Sequence, residues 1–332
     1  MDAANMLVPV IITEPVNVDT DDPAIWINKA DASKSLVVGT DKDSRGGVFV
    51  FNLAGKIVNK AEGLQRPNNV DIAYGLLLNG KPTDIAVVTE RETNKLRIFS
   101  MPGLQPVDNG GIEVFTGEKD RLPMGIALYT RAADRSIFAI VGRKTGPADN
   151  YLWQYKLMDD GKGAVKAVCV RKFGKYSGKK EIESIAADNR LGYIYYSDEM
   201  FGVHKYPADP DAVDNNKELA VFARTGFVSD HEGISIYQAT DTTGYILVSN
   251  QQANTFMVYP REGVSGNVNE HPLLVSIPVA AIESDGSDVT SINLGPRFPR
   301  GLFVAMSNGR VFQYYDWRGI EARIKKMSIK AN

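Results

Sequence analysis

The stretch DDPAIWI (21–27) is the first of four apolar segments that follow one another closely, the others being SLVVGTD (35–41), GVFVFNL (47–53) and KIVNKAE (56–62). Asp, Asn and Gly occur in the connections between them, and these residues favour turns. Short apolar segments bounded by turn residues predict strands, and four in succession predict a small antiparallel sheet.

The pattern of the first unit recurs five more times along the chain. The first segments of the later units are VDIAYGL (70–76), MGIALYT (124–130), IESIAAD (182–188), EGISIYQ (232–238) and VTSINLG (289–295). The second segments are DIAVVTE (84–90), IFAIVGR (137–143), YIYYSDE (193–199), YILVSNQ (245–251) and LFVAMSN (302–308). Units of four short strands repeated at a regular spacing predict the blades of an all-β, six-bladed propeller.

The two ends of the chain suggest how the ring is closed. The sixth unit supplies only three strands, whereas MLVPVIIT (6–13) precedes the first unit without a partner. We expect residues 6–13 to complete blade six, because an open ring would leave strand edges unpaired. The chain is then one propeller domain over 1–332, with a tail from about residue 318 that forms an amphipathic helix. Two stacked β-sandwiches are the rival fold, and they would leave the six matching units unexplained.

Composition narrows the kinds of function and metal site. The net charge of −2 gives no general attraction to nucleic acid or to an anionic membrane, and no apolar run has the length of a membrane span. The N-terminus lacks the pattern of a signal peptide.

Cys169 has no cysteine partner, and we expect it to be a buried small side chain. Three separated histidines, His204, His231 and His271, do not form a zinc motif, so a metal would be held mainly by oxygen.

Acidic residues and amides recur where the first strand of a blade begins. In a propeller the first strand lines the central channel, and the second runs antiparallel beside it, so the start of one meets the end of the other. The inner positions carry Asp21, Asp22, Asn68, Asn69, Asp71, Glu181, Glu183, Asp230, Glu232, Asp285 and Asp288. Crowded carboxylates raise one another's pKa, and a hard cation such as calcium, which takes six to eight oxygen ligands, removes that penalty.

The ends of the second strands carry charge of both signs. Blade four contributes Asp198 and Glu199, and blades one to three contribute basic residues, namely Lys42, Arg91, Arg143 and Lys144. Asp and Asn are also common in turns for local reasons, but their recurrence at equivalent positions favours a functional origin. Lys and Arg beside a cation site suit a polyanion, since both bind phosphate oxygens. We therefore expect phosphate-ester chemistry at this face.

Five segments resemble those of the β-propeller phytases: DDPAIWIN (21–28), RPNNVDIAYG (66–75), ESIAAD (183–188), DHEGISIY (230–237) and LGPRFPRGLFVA (294–305). The resemblance runs from about Thr13 to Ala305. It implies hydrolysis of phytate (myo-inositol hexakisphosphate), taken as its calcium salt, with several bound Ca²⁺ ions and attack by a metal-held water. It also implies an exported enzyme, secreted or periplasmic. We further expect a monomer without nucleic-acid or membrane partners.

The resemblance also assigns roles to positions of this chain. It implies that the phosphate is held by Lys42, Arg91 and Lys144, with Arg143 adding positive charge. It implies calcium ligands at Asp22, Glu183, Glu199 and Glu232, with Asp230 beside them and Asp285 and Asp288 as further acidic residues. Glu183 is thus expected in both the metal and the catalytic set.

The sequence departs from the family pattern at three places. Met124 stands where better-known members have a tyrosine, Thr145 where they have a glutamate, and Ser307 and Asn308 where they have an acidic residue. These losses leave two alternatives open. One is a propeller that binds an inositol phosphate or a protein with little or no catalysis. The other is a lactonase-like calcium hydrolase of uncharged esters, which would not need the basic residues.

Overall fold

Six four-stranded antiparallel sheets form a ring in the computed structural model, which describes residues 6–330, and the side chains of residues 6–326. Blade one comprises Thr20–Trp26, Leu36–Asp41, Gly46–Asn52 and Ile57–Leu64. Blade two comprises Pro67–Leu78, Lys81–Glu90, Lys95–Met101 and Ile112–Glu113, with a short extra strand at Gln105–Pro106. Blade three comprises Pro123–Thr130, Ile137–Arg143, Asp149–Asp159 and Val165–Lys175. The prediction of a propeller is confirmed.

The remaining three blades follow the same order from the channel outward. Blade four comprises Ile185–Asp188, Tyr193–Asp198, Gly202–Pro207 and Ala220–Phe222. Blade five comprises His231–Gln238, Gly244–Asn250, Thr255–Pro260 and Val275–Pro278. Blade six comprises Ser287–Thr290, Leu302–Ser307 and Val311–Asp316, and Ile11–Ile12 is its outermost strand.

The N-terminal segment closes the ring, as expected, but its strand is shorter than residues 6–13. Ile11 pairs with Tyr314 of blade six, whereas Leu7 forms a parallel bridge to Val279, beside the outer strand of blade five. Pro9 lies between these contacts, and it has no N–H to donate to a sheet. The segment therefore completes blade six with a short strand and also links it to blade five.

The hydrophobic core consists of six layers, each between two neighbouring blades. Successive side chains of a strand point to opposite faces, so one strand serves two layers. Val37 packs in the layer between blades one and six, and Val38 packs in the layer between blades one and two. This alternation explains why the strands are apolar on both faces, and it fits a propeller and not a pair of sandwiches.

The C-terminal helix, Trp317–Lys330, packs against blades five and six. Trp317 is fully buried and its ring stacks on Tyr237 with centroids 3.6 Å apart, and Ile320 and Ile324 lie in the same cluster. The expected amphipathic tail is confirmed. Within the described residues, no helix combines the length and the apolar character needed to cross a membrane.

Two local expectations are wrong. The segment 289–295 is not a strand throughout, because the strand ends at Thr290 and the chain then turns through Gly295 and Gly301, which both have positive φ. Cys169 is exposed and not buried. It lies on the outer strand of blade three, where the register shifts beside it and no further blade covers it.

Candidate active site

The antiparallel register brings the start of each first strand beside the end of the second. Thr20 pairs with Asp41, Pro67 with Glu90, Pro123 with Arg143 and His231 with Asn250. In these four blades the register shifts directly after that pair, between Thr20 and Pro23 in blade one, for example. Such bulges re-aim side chains and are common beside active sites. Asp21, Asp22, Asn68, Asn69 and Glu232 lie within them.

An acidic cluster lies at the channel mouth between blades four and five. Ligand oxygens of Glu181, Glu183 and Glu199 lie within 4.8 Å of one another, and so do those of Glu199, Asp230 and Glu232. Glu199 is completely buried, and Oε1 of Glu199 and Oε2 of Glu232 have no hydrogen-bond partner. Buried carboxylate oxygens without partners are costly, so this cluster fits a cation with oxygen ligands.

The protonation of this cluster reflects the crowding of its carboxylates. Burial, aided by the charge of the neighbouring Glu183, raises the pKa of Glu199 to about 8, although the hydrogen bond from Lys180 acts to lower it. Burial, followed by the charge of Glu199, raises the pKa of Glu232 well above its usual range. The cluster therefore resists full ionisation unless positive charge is supplied.

A second group, which we call the Lys42 network, is centred on the blade-one and blade-two side of the mouth. It consists of Lys42, Asp21, Asn68, Arg91 and Asp285, the last of which precedes blade six. Lys42 Nζ contacts Asp21 and lies 3.2 Å from Asp285 Oδ2 and 4.0 Å from Glu183 Oε1. Burial acts to lower the pKa of Lys42, but these carboxylates raise it above its ordinary value. Burial raises the pKa of Asp285 to about 6, against the opposing effect of Lys42.

Asn68 joins the parts of the Lys42 network. Its Nδ2 donates to Asp21 Oδ2 at 2.8 Å and to Glu183 Oε1 at 2.5 Å, and its Oδ1 accepts from Arg91. The sequence pattern places Asn68 in the inner ring but does not indicate a role for it. The structure shows that it links a basic side chain to a candidate metal ligand.

The two basic residues of blade three point in different directions. Lys144 is half-exposed, and its Nζ donates to Glu181 Oε2 at 2.7 Å, beside the acidic cluster. Arg143 is buried, donates to Glu118 Oε2 and to the carbonyl of Asp120, and lies 4.7 Å from the Phe115 ring. Because successive side chains alternate, only one of the two can face the mouth. The expected role of Arg143 in phosphate binding is thus not supported by its position.

Asp22 and Asp288 lie apart from the acidic cluster, along the channel. Asp22 Oδ2 accepts from the backbone N–H of Val70 at 3.0 Å, and Asp288 Oδ2 accepts from that of Ile25 at 2.7 Å. Each bond joins neighbouring blades. Burial and the nearby Asp71 raise the pKa of Asp288 to about 7. Neither residue, nor Asp285, belongs to the two groups of mutually close ligands found among the described residues.

Lys180 is a participant that the sequence did not single out. Its Nζ lies 2.7 Å from Glu199 Oε2 and 2.8 Å from Asp230 Oδ2. Lys180 precedes the first strand of blade four, within the polar run SGKKE, where nothing in the pattern distinguishes it from the other lysines. Asp230 comes close to Lys180 only because blade five packs against blade four.

The histidines occupy buried positions outside the two groups. His231 Nε2 contacts the carbonyl of Ala223 at 2.6 Å, and its ring stacks on Phe227. Burial lowers the pKa of His231, which suits a neutral supporting role between Asp230 and Glu232. His204 lies on the third strand of blade four and is buried between Asp198 and Glu218.

The departures from the family pattern leave fewer polar groups at the mouth. The Met124 side chain is buried and apolar, and Thr145 is exposed. The Ser307 hydroxyl accepts from the backbone N–H of Ile282 at 3.0 Å.

Fold and mouth together define a propeller in which carboxylates suited to a hard cation lie beside Lys and Arg side chains suited to phosphate. Residues 5–315 match the model of the phytase family. A 3-phytase of Bacillus subtilis (strain 168) is 30% identical over an alignment of 327 residues, and the alignment covers 92% of this chain and 81% of that protein. The chain therefore belongs to the phytase family, and it is a phosphoric monoester hydrolase.

A solved structure of a luciferin-regenerating enzyme shares the fold, with a TM-score of 0.57 over 92% of this chain and 95% of that one. At 14% identity, this likeness concerns the fold alone.

Proposed function

We propose that this chain releases phosphate from phytate in a calcium-dependent reaction with water as the acceptor. The observation that carries the proposal is the position of Glu183. Its Oε1 accepts from Asn68, which holds Arg91, and its carboxylate also lies within 4.8 Å of Glu181 and Glu199. One residue thus belongs both to the basic side of the mouth and to the acidic cluster, so a phosphate there would contact cation and arginine together.

The donor set of the acidic cluster supports calcium. All of its ligand atoms are oxygens, and calcium accepts six to eight oxygens in flexible geometry. We propose Glu183, Glu199, Asp230 and Glu232 as the main ligands. Asp22, Asp285 and Asp288 are the candidates for further ions.

Each side chain of the mouth has a defined part in the proposed reaction. Calcium, when bound, supplies neutralisation of phosphate charge and a water of lowered pKa. Arg91 offers a fork of donors, and Lys42 and Lys144 offer point charges, so together they hold the phosphate oxygens and stabilise charge that moves to the leaving oxygen. Asn68 holds Arg91 and Glu181 holds Lys144, so these two cationic side chains are in position before substrate binds.

The first experiment measures phosphate release from phytate by metal-stripped protein, with and without calcium, beside a simple phosphomonoester. We expect release from phytate that depends on added calcium. Calcium-independent release would contradict the proposed role of the metal. Glu183→Gln is the matched variant, since it keeps the shape of the side chain and removes its charge.

A phytate-binding propeller with little turnover is the second candidate, and the observation that favours it is the buried, apolar Met124 in place of a phosphate donor. Calcium-dependent phytate binding without phosphate release would support it. A lactonase-like activity would instead tolerate loss of Arg91, so Arg91→Met separates a phosphatase from a hydrolase of uncharged esters.

Family membership also underlies three further predictions, namely a secreted or periplasmic location, a monomeric state, and the absence of nucleic-acid and membrane partners. Cell fractionation and light scattering test the first two. A binding assay with nucleic acid and vesicles tests the third.

A further inference from the structure

The Lys180 ammonium lies where a cation of the acidic cluster would sit. It is 2.7 Å from Glu199 Oε2 and 2.8 Å from Asp230 Oδ2, and the side chains of these two residues are almost fully buried. Both carboxylates belong to the group Glu199, Asp230 and Glu232, whose ligand oxygens lie within 4.8 Å of one another. A divalent ion bound to this group would use the oxygens that Lys180 now contacts.

The single charge of Lys180 leaves the cluster incompletely neutralised. Oε1 of Glu199 and Oε2 of Glu232 have no hydrogen-bond partner, and both residues are almost completely shielded from solvent, so water does not replace the missing partners. Lys180 therefore satisfies one side of the group only. These unpartnered oxygens are a second observation, independent of the clustering, that points to a larger or more highly charged occupant.

The position of Lys180 allows its side chain to move out of the acidic cluster into solvent. Its side chain is 40% exposed, and it belongs to an irregular segment that ends before the first strand of blade four at Ile185. A lysine side chain has four rotatable methylene bonds and a strongly hydrated head, so it can swing into water without disturbing the blade.

We propose that Lys180 is a built-in, displaceable cation, which holds the Glu199–Asp230–Glu232 group together without metal and must be expelled when a divalent cation binds. Lys180 then sets the calcium affinity of this site, because each binding event exchanges an ammonium for a metal ion. This inference rests on the proposed function, since it requires the acidic cluster to bind calcium.

The test compares calcium binding by the wild-type protein, Lys180→Met and Lys179→Met, measured by titration calorimetry on metal-stripped protein. Lys179 is the matched control, because it is the adjacent lysine but donates to the carbonyl of Met200 and contacts no carboxylate among the described residues. We expect the calcium Kd to fall at least about tenfold in Lys180→Met and less than about threefold in Lys179→Met. Lys180→Arg keeps the charge, so its Kd should stay near that of the wild type.

Thermal unfolding gives a readout that a purely structural role would not produce. Without calcium, Lys180→Met should melt below the wild type, because the carboxylates lose their counter-charge. With saturating calcium this difference should disappear or reverse. A variant that melts lower under both conditions would overturn the inference.

A direct measurement follows the amine itself. Lysines carrying ¹³C-methyl groups introduced by reductive methylation give separate NMR signals, and Lys180→Arg identifies the signal of Lys180. Calcium should move that signal and leave the signal of Lys179 in place.

The two proposals fail in different ways. Absence of calcium binding by both the wild type and Lys180→Met would overturn the metal site and this inference together. Equal affinities of the wild type, Lys180→Met and Lys179→Met would overturn the exchange and leave the proposed function intact.

Discussion

Buried carboxylates lie on both sides of the channel mouth, in the Lys42 network and in the acidic cluster, but their negative charge is compensated in different ways. In the Lys42 network the carboxylates of Asp21 and Asp285 meet Lys42. Asn68 donates to Asp21 and accepts from Arg91, whose buried Nε has no partner in the described part of the chain. In the acidic cluster five carboxylates face two lysines, and two buried oxygens remain without partners. The carboxylates of the Lys42 network are therefore compensated by the chain's own cation, whereas the acidic cluster retains buried carboxylate oxygens that suit a bound cation.

Glu183→Ala should have the largest effect, because it breaks the connection between the two sides. The change removes a proposed metal ligand and the acceptor of Asn68 Nδ2. We expect kcat for phytate to fall by about 10³-fold or more, together with weaker calcium binding. Steady-state kinetics at saturating calcium check this prediction. Full calcium-dependent turnover by Glu183→Ala would show that the cluster is wrongly assigned.

Arg91→Met should affect the Lys42 network and leave the acidic cluster unchanged, so it tests whether the two groups act separately. The guanidinium donates to Asn68 and is proposed to hold phosphate, but it contacts none of the acidic cluster. We expect a loss of about 10²- to 10³-fold in kcat/KM for phytate, since a preorganised donor is removed. Calcium affinity measured by calorimetry should change little. A parallel loss of calcium binding would mean that the two sides are not separable.

The pH dependence of stability should distinguish the acidic cluster from the Lys42 network without a mutation. Burial raises the folded-state pKa of Glu199 to about 8, far above the ordinary 4.5 of a glutamate, so the folded chain holds a proton that the unfolded chain releases. The stability that this proton contributes is present below about pH 4.5 and is lost as the pH rises toward 8. Metal-free protein should therefore melt about 2–4 °C lower at pH 8 than at pH 5.

Calcium should reverse this trend, because binding favours the ionised carboxylates. The calcium-induced rise in Tm should be greater at pH 8 than at pH 5. Glu199→Gln is the control, and it should reduce the pH slope without abolishing it, since burial also raises the pKa of Asp285 and Asp288. An equal effect of calcium at both pH values would argue against a cluster held partly protonated.

Arg143→Met should have the smallest effect on activity, although the residue is adjacent to Lys144. Its guanidinium is buried against Glu118, Asp120 and Phe115, away from the mouth. We expect a loss of about 2 kcal/mol in unfolding free energy, since buried partners lose their donor, and a change in kcat/KM below about threefold. Lys144→Met is the comparison variant, and it should show the opposite pattern. A large loss of activity in the folded Arg143→Met protein would return Arg143 to the substrate site.

The sequence alone was enough to predict the six blades, their strand order and the ring of polar residues at one face. These features follow from local rules: short apolar runs specify strands, turn residues separate them, and an antiparallel pair places the start of one strand beside the end of the other. Glu183, Glu199, Asp230 and Glu232 could be located in this way because their positions recur from blade to blade.

Which of these residues act together depends on the tertiary structure. Lys180 approaches Asp230 because blade five packs against blade four, and Asn68 reaches Glu183 across the channel. Arg143 turns into the blade because its guanidinium finds Glu118 there. Such contacts join residues far apart in the chain, and they depend on bulges, loop paths and burial that no repeating pattern encodes. The sequence specifies where charge is placed, and the packing of the blades specifies which charges meet.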